Sequence, residues 1–127
     1  MKIEFLAGGS PDCPLVRIYD FNSLAARRLH TAVCALSSGT AQSIAFHELP
    51  EIEMVDGCRI TAQLSDTDWG VLPNAKESNS FVWMLKASTW DDIAGLIEPF
   101  RRSETNGFQW LDQTSNISVL LSPRGTW

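Results

Sequence analysis

The stretch Ser88-Thr89-Trp90-Asp91-Asp92-Ile93-Ala94-Gly95-Leu96-Ile97-Glu98-Pro99-Phe100 sets two adjacent carboxylates beside a tryptophan. As chemistry it would be an acid–base pair; as architecture it is the start of a helix. Ser88 and Thr89 each stand three residues before an aspartate, the Ser/Thr-x-x-acid pattern of a capping box. Trp90, Ile93, Leu96, Ile97 and Phe100 fall within one arc, whereas Asp91, Asp92 and Glu98 project elsewhere. The spacing therefore predicts a buried tryptophan and two solvated acids that cap the helix and complement its dipole. A catalytic pair would need a sheltered pocket and separated pKa values, and this spacing supplies neither. The ring of Pro99 presses on the carbonyl of Gly95, so the helix is expected to stop near Glu98 and continue as a turn through Arg102.

Outward from this helix the chain reads as short strands. Phe81 to Ala87 precedes it with apolar residues on both faces; Phe108 to Asp112 and Ile117 to Ser122 follow as a hairpin turned at Gln113-Thr114-Ser115-Asn116. Toward the N-terminus, Lys2 to Leu6 and Leu15 to Phe21 form another hairpin. Asn22 offers an N-cap for a helix to about Ser37 that buries Ala25, Leu29, Ala32, Val33 and Leu36, with Gly39 ending it. Gln42 to Leu49 is a third strand. Cys58 to Leu64 alternates, with Cys58, Ile60, Ala62 and Leu64 inward and Arg59, Thr61 and Gln63 outward. Ser65 to Ser80, rich in Asp, Asn, Ser and Pro, is expected to be a long mobile connection.

The order β-β-α-β-β-β-α-β-β predicts an α+β fold: a mostly antiparallel sheet of six to seven strands with two helices packed on one face. Each half contains a strand, a helix and two strands, a weak symmetry in which Val16 aligns with Val82 and Leu24 with Trp90, too poor in register to establish a repeat.

A chain of 127 residues with 44% hydrophobic residues suits a single globular domain over residues 1–127. Ten Lys and Arg against 15 Asp and Glu give a net charge of −5, which argues against nucleic acid and anionic membrane partners. Glu4 and the Gly8-Gly9-Ser10-Pro11 turn interrupt the apolar start that a signal peptide would need. Cys13, Cys34 and Cys58 are an odd set without CxxC spacing. Together these lead us to expect a soluble cytoplasmic protein without a disulfide framework or a thiolate zinc site.

Each tempting residue has an ordinary explanation. Cys13 lies in a turn beside an acid, Cys58 alternates with core residues, Cys34 is the most exposed thiol, and His30 flanks a helix. Glu48, Glu51, Glu53, Asp56, Asp66 and Asp68, with His47, imitate a cation site but read as a solvated acidic edge without ligand spacing. No phosphate loop, nucleophile elbow or zinc-protease motif occurs, so no cofactor or metal is expected. What remains is the sheet face turned away from the helices, with Arg17, Tyr19, His47, Arg59, Thr61 and Gln63 as candidate ligand-binding residues. That face suggests a non-catalytic binding or protein-interaction domain. Two alternatives stand beside it: a small enzyme with His47 as general base near the acidic group, and an acidic inhibitor or immunity-type partner of a basic enzyme. Trp69 in the long connection and Trp127 at the last position are interface candidates, from which a homodimer is expected.

Overall fold

A computed structural model describes residues 1–103 and 107–127. Nine strands and two helices follow one another as β1 (Lys2–Leu6), β2 (Leu15–Tyr19), α1 (Ser23–Ser37), β3 (Ser43–Ala45), β4 (Glu53–Met54), β5 (Arg59–Leu64), β6 (Gly70–Pro73), β7 (Ser80–Leu85), α2 (Ala87–Arg102), β8 (Gln109–Asp112) and β9 (Ser118–Ser122). The fold is α+β, but the single, mostly antiparallel sheet is replaced by two mixed sheets, ordered β4-β1-β2-β9-β8 and β3-β5-β7-β6. The expected hairpins form; what joins them is parallel, β2 with β9 and β5 with β7. Local alternation specifies hairpins, whereas the parallel joins connect strands far apart in sequence and leave no local signature.

The weak symmetry is real at the level of topology. Hairpin, helix and hairpin recur in each half, and each sheet takes its first hairpin from one half and its second from the other. The helices correspond with a different register from the one the sequence suggested. Ala26, Leu29, Val33 and Leu36 are buried in α1, and at the same spacing Trp90, Ile93, Ile97 and Phe100 are buried in α2. Leu24 is half exposed and does not match Trp90, and Ala26 takes the inward place given to Ala25.

One apolar core holds the inner faces of both sheets and the facing sides of the helices, which pack on each other. Trp90 is fully buried, as its place in the arc requires; its ring lies 4.8 Å from that of Trp83, and Phe46 meets both edge-on. Phe5 of the first sheet and Phe81 of the second touch at 4.8 Å. A register shift between Trp110 and Asp112 turns Asp112 inward, where its Oδ2 accepts the indole N–H of Trp83 at 2.7 Å. This charged hydrogen bond ties the two sheets together.

The start of α2 differs from expectation. The helix begins at Ala87, so Ser88 and Thr89 lie inside it and no side chain of Lys86, the N-cap, closes the first turn. Asp68 of the preceding connection does so instead: Oδ1 accepts the Lys86 backbone N–H and Oδ2 the Thr89 hydroxyl, both at 2.9 Å. Asp91 and Asp92 are exposed one turn on, beyond the groups a cap would cover. Pro99 does not end the helix, which runs through it to Arg102.

The long connection is not a free loop. It contains β6, an antiparallel partner of β7, and Val71 is buried, bridging Ile117 while its carbonyl accepts the Ser115 hydroxyl. At Gly70 the backbone takes φ +77°, and a Cβ there would stand 3.0 Å from Ser115. The third strand is also shorter than expected. It stops at Ala45, and Phe46–Glu48 forms a 3-10 turn that drives Phe46 into the core. β4 is an added short parallel edge.

Removing the cap in Asp68→Ala should lower stability by about 1 kcal/mol. Asp91→Asn and Asp92→Asn should each change it by less than about 0.5 kcal/mol in urea unfolding. Burial pushes the Asp68 carboxyl up, but the Lys86 N–H and the Thr89 hydroxyl outweigh it and hold the pKa below its ordinary value. The contribution is therefore present above the ordinary carboxylate range and disappears as pH falls through the lowered folded value. Asp112→Ala, which strands the Trp83 indole N–H, should cost about 1.5 to 3 kcal/mol in the same assay.

Candidate functional site

The six candidate residues do not form one surface, because Arg17 and Tyr19 belong to the first sheet, Arg59, Thr61 and Gln63 to the second, and His47 to a 3-10 turn. Arg17 and Tyr19 lie on the outer face of the first sheet, where cross-strand pairing sets Glu4, Arg17, Leu120 and Trp110 in one row and Lys2, Tyr19 and Ser122 in the next. The chain covers this face itself. Arg17 gives Nε and Nη2 to Glu4 Oε1 at 2.8 and 2.6 Å and Nη1 to the carbonyl of Gly125 at 2.8 Å, with its guanidinium 4.0 Å over the Tyr19 ring. Gly125, at φ +78°, lies so close that a Cβ would meet Tyr19 Cδ2 at 2.9 Å. The Ser122 hydroxyl donates to the Thr126 carbonyl, and the Trp127 indole N–H to Asp12 Oδ2 at 2.9 Å. Leu15 and Leu120, on the same face, are fully buried. Burial, more than the charge of Glu4, pushes the Tyr19 hydroxyl above its ordinary pKa.

Beside the C-terminal segment a groove of about 640 Å³ runs past Phe108, Trp110 and Trp127, with Asp12 at its edge. Phe108 and Trp127 are 47% and 37% exposed. Asp12, the groove's carboxylate, is bonded to Trp127, which makes this tryptophan a fastener of its own chain.

The outer face of the second sheet carries the remaining candidates in a different setting. Arg59, Thr61 and Gln63 point outward from β5, as the alternation requires, while Ile60 and Ala62 are buried. Register places Ala45, Thr61, Val82 and Leu72 in one row across all four strands and Ser43, Gln63 and Met84 in the next. Val82, Met84, Leu72 and the neighbouring Trp69 stand outside the core cluster, with Leu72 38% and Trp69 54% exposed. Arg59 reaches Glu77 at 3.8 Å on the rim. Val82 and Met84, alternating with Phe81, Trp83 and Leu85, are the apolar second face that the sequence predicts for this strand; what the sequence does not show is β6, which extends the surface through Leu72.

His47 is not on a sheet face. It lies in the 3-10 turn with Nδ1 3.1 Å from the Ile60 carbonyl, a contact that holds the ring as part of the scaffold. The acidic group is dispersed: Glu51 pairs with Arg28 at 3.1 Å, Glu53 approaches Lys2 at 4.0 Å, Asp56 occupies a turn at φ +54°, and Asp68 caps α2. Among the described residues no group of three His, Cys, Asp or Glu side chains is placed to hold a metal ion. None of the helices there is long and apolar enough to cross a membrane. In comparisons with protein families, with curated proteins and with solved structures, the chain matches none.

A methyl group at Gly125 should dislodge the C-terminal segment, through both its steric contact and the left-handed backbone. Gly125→Ala is therefore expected to lower stability by about 1 kcal/mol or more. The indole N–H of Trp127, followed by NMR hydrogen exchange, should lose its protection in that variant.

Proposed function

We propose that the protein is a small non-catalytic interaction domain that receives a partner protein on the outer face of its second sheet, and that a second copy of the chain is the first such partner. The supporting observation is a contrast between two faces built on the same plan. On the first sheet's outer face the chain's own C-terminal segment is bonded to Arg17, and Leu15 and Leu120 are fully buried. The second sheet's outer face keeps Leu72, Val82, Met84 and Trp69 outside the core, rimmed by Thr61, Gln63 and Arg59. An apolar centre with an aromatic residue and a polar rim is the composition of a protein interface. Trp69 is then an interface residue, whereas Trp127 has a sufficient role within its own chain.

The reading of a small enzyme with His47 as base is less well supported, since that ring bonds to a backbone carbonyl and, of the acids proposed as its partners, Glu51 pairs with Arg28 and Asp68 caps α2. A credible two-fold contact buries on the order of 1,000 Å² in total. Four strands with Trp69 at one side offer a patch of suitable breadth.

Sedimentation at micromolar concentration should show a dimer for the natural sequence and a monomer for Leu72→Glu. That variant should keep its stability within about 0.5 kcal/mol, because residue 72 is exposed in the single chain. A natural protein that stays monomeric throughout removes the second copy as partner. A Leu72→Glu variant that still dimerises removes this face.

A further inference from the structure

His30 and Cys34 are four residues apart on α1 and so share a face of that helix. Cys34 Sγ lies 3.7 and 3.8 Å from the two ring nitrogens of His30, and His30 Nε2 lies 3.1 Å from Glu98 Oε2 on α2. Glu98 is itself held at 2.6 Å by Arg101 and at 3.0 Å by Arg102. All three members of the set are partly open to solvent at the edge of the helix pair, with the His30 and Glu98 side chains 19% and 24% exposed. A nucleophile beside a base that is oriented by a third group is the arrangement that activates a thiol.

We propose that Cys34, His30 and Glu98 form a thiol-exchange site between the two helices, at which Cys34 attacks small disulfides with His30 as its base. The Glu98 carboxylate accepts the Nε2 proton and leaves Nδ1 unprotonated; Sγ, nearly equidistant from both ring nitrogens, reaches the Nδ1 lone pair by rotation of the His30 ring or the Cys34 side chain. As the thiol proton passes to Nδ1, the sulfur attacks one sulfur of the disulfide and the S–S bond breaks. The departing thiolate takes the proton from the imidazolium. The products are a mixed disulfide on Cys34 and one free thiol; the Cys34 sulfur is oxidised, the departing sulfur is reduced, and no other oxidant enters.

The surroundings favour this course. The Arg101 hydrogen bond, followed by Arg102, outweighs desolvation and holds the Glu98 carboxyl down to about 2, so it remains an anion beside the imidazole. The Arg101 guanidinium, bound first to Glu98, is also close enough to respond to charge on Cys34. Arg27 closes the same edge by donating Nε to the Arg101 carbonyl at 3.1 Å. The other thiols serve as internal comparators. Burial pushes the Cys58 thiol up to about 11, which makes it inert, and Cys13 is half-buried between Asp12 and Pro14.

The folded protein is treated with oxidised glutathione, and mixed disulfide at each cysteine is followed by peptide mass spectrometry. At neutral pH Cys34 should react about tenfold faster than Cys13, and the ratio should shrink at alkaline pH, where a bare thiol ionises without a base. His30→Asn and Glu98→Gln should each remove most of that advantage while leaving the Cys13 rate unchanged, which also reports that the variant is folded. Equal rates at Cys34 and Cys13 in the natural protein, or a ratio that does not vary with pH, would overturn the proposal without recourse to any variant. An advantage that survives His30→Asn in a folded protein would overturn the role of the base.

Discussion

The hydrogen bond from the Trp83 indole to Asp112 is the point at which two separate sheets become one molecule. Trp83 lies in the centre of the second sheet and Asp112 at the edge of the first, and both are buried. A buried carboxylate is costly to desolvate, so it is tolerated only when its oxygens are satisfied. Here Oδ2 takes the indole N–H, and Oδ1 takes the backbone N–H and the hydroxyl of Thr114. The same turn then carries Ser115 onto the Val71 carbonyl. One acid thus fixes the β8–β9 turn, the edge strand β6 and the edge-on contact of Trp83 with Trp90.

The two helices show how a repeated plan is filled without repeated sequence. The inward places of α1 hold Ala26, Leu29, Val33 and Leu36, while the matching places of α2 hold Trp90, Ile93, Ile97 and Phe100. Arg27 reaching Arg101 and His30 reaching Glu98 set the helices antiparallel, so the small residues at the start of α1 lie toward the Phe100 end of α2, and the core can keep native density although its halves differ in volume. Selection on summed volume, not on identity at matched positions, explains why the symmetry is plain in the backbone and faint in the residues.

What could be read from the sequence was local. The alternation of Arg59 to Leu64, the Asn22 cap and the arc containing Trp90 all depend on neighbours within a few positions, and all are found in the fold. The misplaced features depend on partners that spacing cannot reveal. Asp68 caps a helix eighteen residues away, whereas spacing along the chain points only to the nearer Ser88 and Thr89. Strand β6 reads as a polar loop because Gly70 and Pro73 bound it and Val71 is its one buried side chain beside the buried glycine. The i,i+4 spacing of His30 and Cys34 is legible in the sequence, but the contact of His30 with Glu98 is not, because that carboxylate comes from the other helix.

The interlaced halves also set an order on the birth of the fold. Strand β2 is made well before its parallel neighbour β9, and the pair cannot form until both are out. Until residues 118–122 leave the ribosome, Val16 and Ile18 stand beside an unpaired row of backbone amides and carbonyls, with the first sheet open at its middle. Neither half can close its own layer, so the nascent chain carries an adhesive edge until then, and long-range pairing of this sort is slow to complete. Crowded polysomes, where neighbouring chains expose the same edge, are where this topology is most vulnerable to exchange of the β8–β9 hairpin between copies.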